Sequence, residues 1–290
     1  MSELRSVHLS RDSRADIDPD PALRDVAFNR KSMNHQQHVS PLNQGRADVG
    51  VDHIVVDLIQ GVDETAFQKT AGMAVRATIG IDPEAPQEDL PWEEMLKGGL
   101  QTALETQTVV FGVSGVSRTC THQLVRSRRA SFHQQSQRAS FMGDQPNVRM
   151  PESVFRNHNA RRAFLIAIEA AHAAYRIATD EDISFQDARF ILPEGTETYI
   201  MCEYPLREFM NMYAYRACYM FQWEISTTVR KMKEVLVEAH PWLDEYIKIS
   251  CEKPHKCTFQ GWESVEGQCP LAWAKEESRV YRPDPKLRIG

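Results

Sequence analysis

The sequence lacks three features that would place the protein in a membrane or outside the cell. It has no run of eighteen apolar residues, no apolar segment near its N-terminus and no closely paired cysteines. A helix that crosses a bilayer needs about 20 mostly apolar residues, and a secretory signal needs an apolar segment behind its charged start. The six cysteines are widely spread, so reduced thiols are expected. We therefore expect a cytoplasmic protein.

Strong positive charge and a metal-binding cysteine pattern are also missing. The net charge is −6, which argues against a nucleic-acid coat protein or a basic membrane-surface protein. Cys251, His255, Cys257 and Cys269 do not contain the paired spacing of a zinc knuckle, so no metal site is expected. The 290 residues are 42% hydrophobic, which is enough for a globular domain with a substantial core.

The most informative absence is local. From Thr106 to Gly143 the chain has no acidic residue, although it contains 40 acids in total. The same segment carries five arginines, which are Arg118, Arg126, Arg128, Arg129 and Arg138, together with several glutamines and serines. Guanidinium groups bind phosphate bidentately, and amide side chains can both donate to and accept from the edge of a uracil. The segment therefore predicts a nucleotide site, with a solvated basic face or a nucleic-acid-binding surface as alternatives.

Hydrophobic periodicity predicts an α+β fold, with a helix-rich domain packed on a mixed or antiparallel sheet. Strands are expected at 51–60 and 108–115, and residues 70–79 are predicted to be short and mixed. Helices are expected at the following ranges: 92–104, 116 to about 128, 161–178, and 203 to about 233. His172 falls on the apolar stripe of the third helix and is expected to be a hydrogen-bonded core histidine.

The acid-free segment resembles the signature of the flavin-dependent thymidylate synthase family. In that signature R-H-R is followed after seven residues by S, any residue and R, and Arg126, Arg128, Ser136 and Arg138 occupy the arginine and serine positions. Two later stretches resemble family motifs in the same order. Asp187–Pro193 resembles D-A-R-x-x-L-P, and 207–225 resembles the helical stretch that ends in Q-W-E-I.

The resemblance covers about residues 50 to 240 and implies a domain at 51–240. Residues 1–50 are then a flexible polar arm, and 241–290 are a C-terminal extension. The family resemblance implies a homotetramer with active sites shared between subunits. It also implies that FAD, reduced by NADPH, and 5,10-methylenetetrahydrofolate methylate C5 of a uridine monophosphate, either dUMP, UMP or both. No membrane or nucleic-acid partner is expected.

The resemblance also implies roles for individual residues. Arg216 is expected to act on the uracil ring as the catalytic residue. Nucleotide contacts are expected from Gln123, Arg126, Ser136, Gln137, Arg138, Arg189 and Arg216. Flavin contacts are expected from Thr102, Arg126, Ser127, Arg128, Gln134, Arg207 and Asn211. Arg207 and Asn211 are four apart, so they should share one helix face.

The chain departs from the family pattern on the flavin and folate side. Three family histidines are replaced by Leu100, Thr106 and Ser127, a tyrosine by Ala139 and an asparagine by Pro205. Neutral imidazole both donates and accepts hydrogen bonds, which leucine cannot do. These changes favour a specialised relative, for example one that methylates UMP in nucleoside antibiotic biosynthesis. A nucleotide-binding protein that has lost catalysis remains the alternative.

Overall fold

The computed structural model describes residues 47–49, 53–82, 101–142 and 147–252. Most of the predicted N-terminal arm, most of the C-terminal extension and Leu100 lie outside these ranges. Within the predicted arm, however, Ala47–Val49 form a short strand, β1, which pairs in parallel with β5 at Val148–Met150.

Four strands form the central sheet, in the spatial order β2, β3, β6, β4, and every pairing in it is antiparallel. They span Val55–Gln60, Thr108–Ser117, Ser131–Gln134 and Glu197–Pro205, named β2, β3, β4 and β6. The longest ladder joins β3 to β6, from Thr108 opposite Pro205 to Ser117 opposite Glu197. The α+β prediction with an antiparallel sheet is confirmed.

Seven α-helices occur within the described ranges. In chain order, α1 to α7 span Glu64–Thr78, Arg118–Leu124, Glu152–Arg156, His158–Asp180, Phe185–Ala188, Leu206–Arg216 and Trp223–Ala239. Short 3₁₀ turns occupy Gln101–Thr106, Arg189–Ile191, Pro241–Glu245 and Ser250–Glu252.

The core lies between the inner face of the sheet and helices α1, α6 and α7. Val109, Phe111 and Val113 on β3 alternate with residues that face outward, as a half-buried strand requires. From the helices, Phe209 packs against Phe111 with ring centroids 5.0 Å apart. A smaller cluster beneath α4 contains Val148, Met150, Leu165 and Ile168.

Three sequence predictions of secondary structure were wrong. The helix expected from Val116 begins at Arg118, because β3 remains paired with β6 through Ser117, and it ends at Leu124. Residues 70–79 belong mainly to α1, whose first turn is capped by the Asp63 carboxylate accepting from Ala66 N at 2.9 Å. Its buried side includes Phe67, Ala71 and Gly72. Because two of these residues are small, the hydrophobic pattern of the sequence did not indicate a helix here.

The third error was the single helix predicted over 203–233. Glu203–Pro205 end β6, and the helical part is divided into α6 and α7 by residues 217–222. Pro205 has an extended backbone and begins α6 without a hydrogen-bonding side-chain cap. Gln222 stops any continuous helix, because its backbone is extended and its side chain caps α7 by accepting from Ile225 N at 3.0 Å.

A β-bulge brings the end of β3 to the start of α2. The β3–β6 register shifts between Val113 and Val116, and Gly115 between them has a φ of +69°. A Cβ atom at Gly115 would overlap the carbonyl group of His53, so glycine is required there for both conformation and space. The bulge therefore sets the direction in which the acid-free segment leaves the sheet.

Candidate active site

Helix α2 carries the first predicted site residues, and a buried carboxylate fixes its N-terminus. Glu224, at the start of α7, accepts hydrogen bonds from Ser117 N at 2.7 Å and Ser117 Oγ at 2.6 Å. The same Oγ accepts from Cys120 N at 3.1 Å, which makes Ser117 the N-cap of α2. The arrangement joins α2 to a helix that lies more than 100 residues later in the chain.

Gln123 and Arg126 lie at the other end of α2. The helix ends in a tightened turn, in which Arg126 N donates to Gln123 O at 3.3 Å and Ser127 N donates to Leu124 O at 3.2 Å. Gln123 is half-buried and Arg126 is exposed. Their polar groups therefore project from the same short stretch of chain.

Strand β4 follows α2 and holds Gln134 against it. Gln134 Nε2 donates to Thr121 Oγ1 at 2.8 Å, and it also lies 3.4 Å from Thr198 Oγ1 on β6. These contacts use the donor side of the amide and leave its oxygen as the group that can accept from a ligand. Gln134 is thus both a structural link and a candidate ligand contact.

Ser136 organises the turn that contains Gln137 and Arg138. Its carbonyl oxygen accepts from Ala139 N at 3.2 Å and Ser140 N at 3.0 Å, and its hydroxyl accepts from Arg138 N at 3.3 Å. In the described part of the chain, none of these contacts supplies a general base for the hydroxyl. The geometry therefore fits a binding role for Ser136 and not a nucleophilic one.

Several predicted site residues carry polar side chains that have no hydrogen-bond or ion-pair partner within the described ranges. Protein polar groups are usually paired or hydrated, so a group of such side chains on one short segment is suited to an outside ligand. They are Gln123, Arg126, Arg128, Gln137, Arg138 and, on α6, Asn211.

Arg118 and Arg189 each donate to a backbone carbonyl oxygen. Arg118 Nη1 donates to Gln135 O at 3.3 Å, while Arg189 Nε donates to Gln186 O at 3.1 Å. Partial burial lowers the pKa of Arg118, as does the charge of Arg189, whereas the Glu194 carboxylate raises it.

The prediction that Arg207 and Asn211 lie on one helix is confirmed, whereas their contact with a flavin stays a prediction. Arg207 lies in the first turn of α6 and Asn211 lies one turn later, so the two share a face. Arg207 Nη1 donates to Glu105 Oε1 at 2.9 Å, and Arg129 Nη1 reaches the same oxygen at 3.3 Å. Glu105 and Thr102 belong to the 3₁₀ turn Gln101–Thr106, and the Thr102 side chain lies outside the described set.

Arg216 is the last residue of α6 and lies against two aromatic rings. Its guanidinium carbon is 5.4 Å from the Tyr215 ring centroid and 5.3 Å from that of Phe221. Contact with ring faces holds a guanidinium by cation–π attraction while leaving its N–H edge available for a ligand. Within the described ranges, no hydrogen bond or ion pair joins Arg216 to the group around α2 and β4.

The buried cysteines are unsuited to nucleophilic chemistry. Burial raises the pKa of Cys202 to about 12 and raises the pKa of Cys120 well above its usual range. The thiolate is the reactive form of cysteine, and both thiols are fully enclosed in the core. Neither can attack a pyrimidine ring.

The departures from the family motifs have local structural explanations. Thr106 Oγ1 hydrogen-bonds to Thr70 Oγ1 of α1 at 3.2 Å. Burial raises the pKa of the Tyr204 hydroxyl well above its usual range, and the Ser127 side chain acts on that pKa in the opposite direction. Ala139 lies in the Ser136 turn, and Pro205 starts α6. The replaced positions are therefore accommodated within the fold.

A cavity of about 350 Å³ opens beside the Ser136 turn. Its size lies within the range of small-molecule sites. Its walls mix aromatic, amide and carboxylate groups from Ser114, Gln135, Phe141, Met142, Asn147, Glu197, Thr198 and Tyr199. None of these residues was predicted from the sequence to contact a ligand.

Sequence reasoning also missed Arg118, Glu105 and Glu224 as parts of the site. A signal for two of them was present, because Arg118 lies in the acid-free segment and Glu105 is the last acid before it. Nothing local to Glu224 pointed to Ser117. In the described ranges, no helix is both long and apolar enough to span a bilayer, and no three His, Cys, Asp or Glu side chains are grouped as metal ligands.

Comparison with known proteins gives matches over most of the described chain. Residues 64–242 match the family model described as thymidylate synthase complementing protein. The flavin-dependent thymidylate synthase of Geobacter sulfurreducens is 35% identical over 186 residues, which cover 62% of this chain and 80% of that protein. The enzyme of the same name from Clostridium tetani is 31% identical over 208 residues, covering 64% and 78%.

Solved structures support the fold. The UMP/dUMP methylase PolB from Streptomyces cacaoi, bound with 5-Br dUMP, superposes with a TM-score of 0.54 at 16% identity, covering 70% of this chain and 99% of that one. Thymidylate Synthase X from Helicobacter pylori, with FAD and dUMP, has a TM-score of 0.53 at 17% identity and covers 67% and 99%. The expected fold and enzyme class are both confirmed.

Proposed function

Because this chain belongs to the thymidylate synthase complementing protein family, we propose that it catalyses flavin-dependent methylation at C5 of a uridine monophosphate. The substrate is dUMP, UMP or both, the carbon donor is 5,10-methylenetetrahydrofolate and the reductant is NADPH. The observation that supports this best is the set of guanidinium and amide groups between Gln123 and Arg138 that have no hydrogen-bond or ion-pair partner in the described part of the chain. The names of the related enzymes, which include flavin-dependent thymidylate synthase and UMP/dUMP methylase, agree with it.

The nucleotide is held by charge and by paired hydrogen bonds. Arg138 and Arg189 contact the phosphate and sugar side, while the Ser136 turn offers Gln137 and backbone groups nearby. Gln123 and Arg126 contact the nucleotide from the end of α2. Guanidinium groups remain charged at every relevant pH, so binding does not depend on their titration.

Arg216 activates the base. Its guanidinium, held against Tyr215 and Phe221, stabilises negative charge on N3 and the adjacent carbonyl of the uracil. That charge makes C5 nucleophilic without an enzyme thiol, in agreement with the buried state of Cys120 and Cys202. The catalytic contribution of Arg216 is therefore electrostatic, because its guanidinium stabilises the N3 anion that remains when the N3 proton passes to solvent.

Residues from two parts of the fold would hold the flavin. Arg207 and Asn211 present one face of α6, and the stretch from Arg126 to Arg128, Gln134 and Thr102 complete the contacts. Glu105 fits this arrangement, because it orients Arg207 at the start of the helix. When bound, FAD supplies the redox chemistry of carbon transfer, and the protein supplies position and charge.

We also propose that the protein is a homotetramer in which neighbouring subunits complete each site. In the described chain, no hydrogen bond or ion pair joins Arg216 to the α2–β4 group, and this lack of contact supports the arrangement. In such an assembly a subunit can offer nucleotide contacts to one site and flavin contacts to another. Sedimentation equilibrium of the purified protein gives the oligomeric state directly.

A paired substrate assay tests the function. C5-tritiated dUMP and UMP are incubated separately with the protein, FAD, NADPH and methylenetetrahydrofolate, and tritium release and the methylated product are measured. We expect a yellow protein, folate-dependent tritium release and a product in which a methyl group has replaced the hydrogen at C5. A protein that takes up no FAD and releases no tritium from either substrate would contradict the proposal.

A nucleotide-binding protein without catalysis is the second candidate. The replacement of imidazoles at Thr106 and Ser127, both on the flavin and folate side, favours it. It predicts binding of dUMP or UMP with no oxidation of reduced flavin after folate is added. Binding of polynucleotide with a steep salt dependence would instead indicate the nucleic-acid-binding alternative.

A further inference from the structure

We propose that Arg230 is a positioning residue, which holds the chain between α6 and α7 so that the Arg216 guanidinium meets the uracil in its productive orientation. This inference rests on the proposed function, because it concerns the residue that activates the base. Arg230 lies on α7, beyond the Q-W-E-I motif that ends at Ile225. It acts on the reaction through Arg216 and not by touching the substrate.

The guanidinium of Arg216 depends on its aromatic neighbours for its orientation. In the described part of the chain it has no hydrogen bond or ion pair, and the rings of Tyr215 and Phe221 are its contacts. The two ring centroids lie 4.7 Å apart. Tyr215 directly precedes Arg216 on α6, whereas Phe221 follows after the helix has ended. The place of the Phe221 ring therefore depends on the path of residues 217–222.

Arg230 holds this path at two points. Its Nη1 donates to Ala217 O at 3.4 Å, and its guanidinium carbon lies 4.0 Å from the centroid of the Tyr219 ring. Ala217 is the C-cap of α6, and carbonyl groups at a helix C-terminus lack partners within the helix. A cation at this end also interacts favourably with the helix dipole. Arg230 thus fixes the first and third residues of the connection that carries Phe221.

The Arg230 side chain is itself fixed to α7. Its Nη2 donates to Thr227 Oγ1 at 3.2 Å, and residues three apart are neighbours on a helix surface. A planar guanidinium can use both nitrogens in its plane while its face lies on a ring, which an ammonium group cannot do. Helix α7 is in turn joined to the start of α2 by the hydrogen bonds between Glu224 and Ser117. Arg230 therefore connects a firmly held helix to the segment beside Arg216.

Loss of Arg230 would release this segment. Residues 217–222 would lose a hydrogen bond and a ring contact, and Phe221 would no longer hold Arg216 in one place. A group that stabilises developing charge must be held within about 0.5 Å of its productive position. Because that charge develops during the reaction, a less ordered Arg216 lowers turnover more than it lowers binding of the nucleotide.

The first test compares turnover with affinity. The kcat for tritium release and the UMP dissociation constant are measured for the wild type, Arg230→Met, Arg230→Lys and Lys233→Met. In Arg230→Met we expect kcat to fall about tenfold or more, while the dissociation constant changes less than about threefold. Arg230→Lys keeps the charge but not the fork, so its kcat should be intermediate.

Lys233→Met is the matched control on the same helix. Lys233 pairs with Asp244 and lies 5.4 Å from the centroid of the Tyr213 ring, so its replacement also removes a cation and a ring contact from α7. The lost contacts do not involve residues 217–222. We therefore expect wild-type kcat and wild-type affinity in this variant.

The second test is a double-mutant cycle with Arg216. If Arg230 acts through Arg216, Arg230→Met should lower kcat by less than about twofold when it is added to Arg216→Ala. A residue that only supports the fold would lower kcat by the same factor in both backgrounds. Tritium release over long incubations gives the rates of the slow variants.

The third test needs neither turnover nor flavin. In 5-fluoro-UMP the fluorine atom makes N3 more acidic, and the ultraviolet spectrum of the bound nucleotide reports the ionisation of N3 as the pH is varied. A well-placed Arg216 lowers the pKa of N3 in the complex. Arg230→Met should raise this pKa toward its value in the free nucleotide, and should have no further effect in Arg216→Ala.

Four results would overturn the inference: an unchanged kcat in Arg230→Met, an unchanged N3 pKa, equal losses of kcat and affinity, or the same loss of kcat in the Arg216→Ala background. If Arg230→Met does not fold, as judged by circular dichroism, Arg230→Lys takes its place in all three tests. Wild-type protein whose bound nucleotide shows the expected dependence on Arg216 and Arg230, but which releases no tritium, would contradict the proposed function alone. Wild-type protein that binds no nucleotide would contradict both.

Discussion

Ser117 and Glu224 form a buried two-point hydrogen bond across 107 positions of sequence. The two carboxylate oxygens accept separately from the backbone N and the hydroxyl of Ser117, and both residues are almost completely enclosed. A buried carboxylate is tolerated when its lone pairs are satisfied in this way. The contact fixes the start of α2, and with it the placement of Arg118, Gln123 and Arg126.

Replacing Glu224 with glutamine should destabilise the fold. The amide presents N–H groups where Ser117 needs an acceptor, so one buried donor is left unsatisfied at a cost of about 1–3 kcal/mol. Urea denaturation of Glu224→Gln should show a lower midpoint, and UMP affinity should fall because α2 is no longer fixed. Glu234→Gln, an exposed change on the same helix, is the matched control and should leave the midpoint unchanged. Equal midpoints for the two variants would contradict this account.

Glu105 should control flavin affinity through Arg207. The carboxylate accepts from Arg207 and, at a longer distance, from the more exposed Arg129. Exposed ion pairs contribute about 0–1 kcal/mol, so the effect should be modest. In Glu105→Gln we expect the FAD dissociation constant to rise about two- to fivefold, with UMP affinity unchanged.

Arg129→Gln separates the two partners of Glu105. It removes the weaker contact and leaves the one to Arg207, so flavin affinity should remain near the wild-type value. Fluorescence quenching of added FAD gives both dissociation constants. A larger loss in Arg129→Gln than in Glu105→Gln would show that Arg129, and not Arg207, is the group that meets the flavin.

His172 should make stability depend on acid pH. Its ring is buried in α4, and within the described chain neither ring nitrogen has a hydrogen-bond partner, which corrects the prediction of a hydrogen-bonded histidine. Burial, followed by the charge of Arg176, lowers its pKa from 6.5 to about 4. The unfolded chain therefore takes up this proton at a higher pH than the native protein does. Stability is lost as the pH falls from about 6.5 to about 4.

The variant His172→Phe removes this proton from both states. The difference in free energy of unfolding, His172→Phe minus wild type, should be about 2 kcal/mol larger at pH 4.5 than at pH 7. Denaturation curves at the two pH values measure it. His158→Gln replaces an exposed histidine at the start of the same helix and should show a much smaller difference. A pH-independent difference for His172→Phe would exclude a buried neutral imidazole.

Arg216 should affect turnover more than nucleotide affinity. Its proposed role is to stabilise charge that develops on the uracil, so Arg216→Ala should lower kcat by at least about a hundredfold while the UMP dissociation constant changes less than tenfold. Arg216→Lys retains the charge but not the planar contact with Tyr215 and Phe221, and should be intermediate. Equal losses in kcat and affinity would indicate a purely binding role.

The sequence predicted the parts of the fold that depend on local patterns. The β-branched run from Thr108 predicted β3. The apolar stripe through Leu165, Ile168 and Tyr175 predicted α4, and the observed helix is two or three residues longer at each end than the predicted one. The end of β6 was mistaken for helix because Glu203 and Tyr204 precede a strongly helical stretch. The extended backbone at Pro205 separates the two.

The site was predicted at the level of segments and not of contacts. The acid-free stretch predicted that Arg126 and Arg138 contact a ligand, and both side chains are exposed, but the contact itself stays a prediction. The roles of Ser117 with Glu224 and of Arg118 with Gln135 depend on pairing between distant strands. A local sequence pattern cannot predict which distant residues the β-bulge at Gly115 brings together, so these contacts became visible only in the structure.

The β3–β6 ladder also determines when the site can form during folding. Ser117 pairs with Glu197, so residues 118–196 form one long loop that closes only when these two strands meet. Contacts between distant residues are slow to form because the loop entropy is lost before the pairing is gained. In a chain in which only β2 and β3 have paired, the hydrogen bonds between Ser117 and Glu224 are absent and Arg118 is not held in place. The nucleotide site is not formed in such a chain, so we expect nucleotide added during refolding to stabilise the protein only after β3 and β6 have paired.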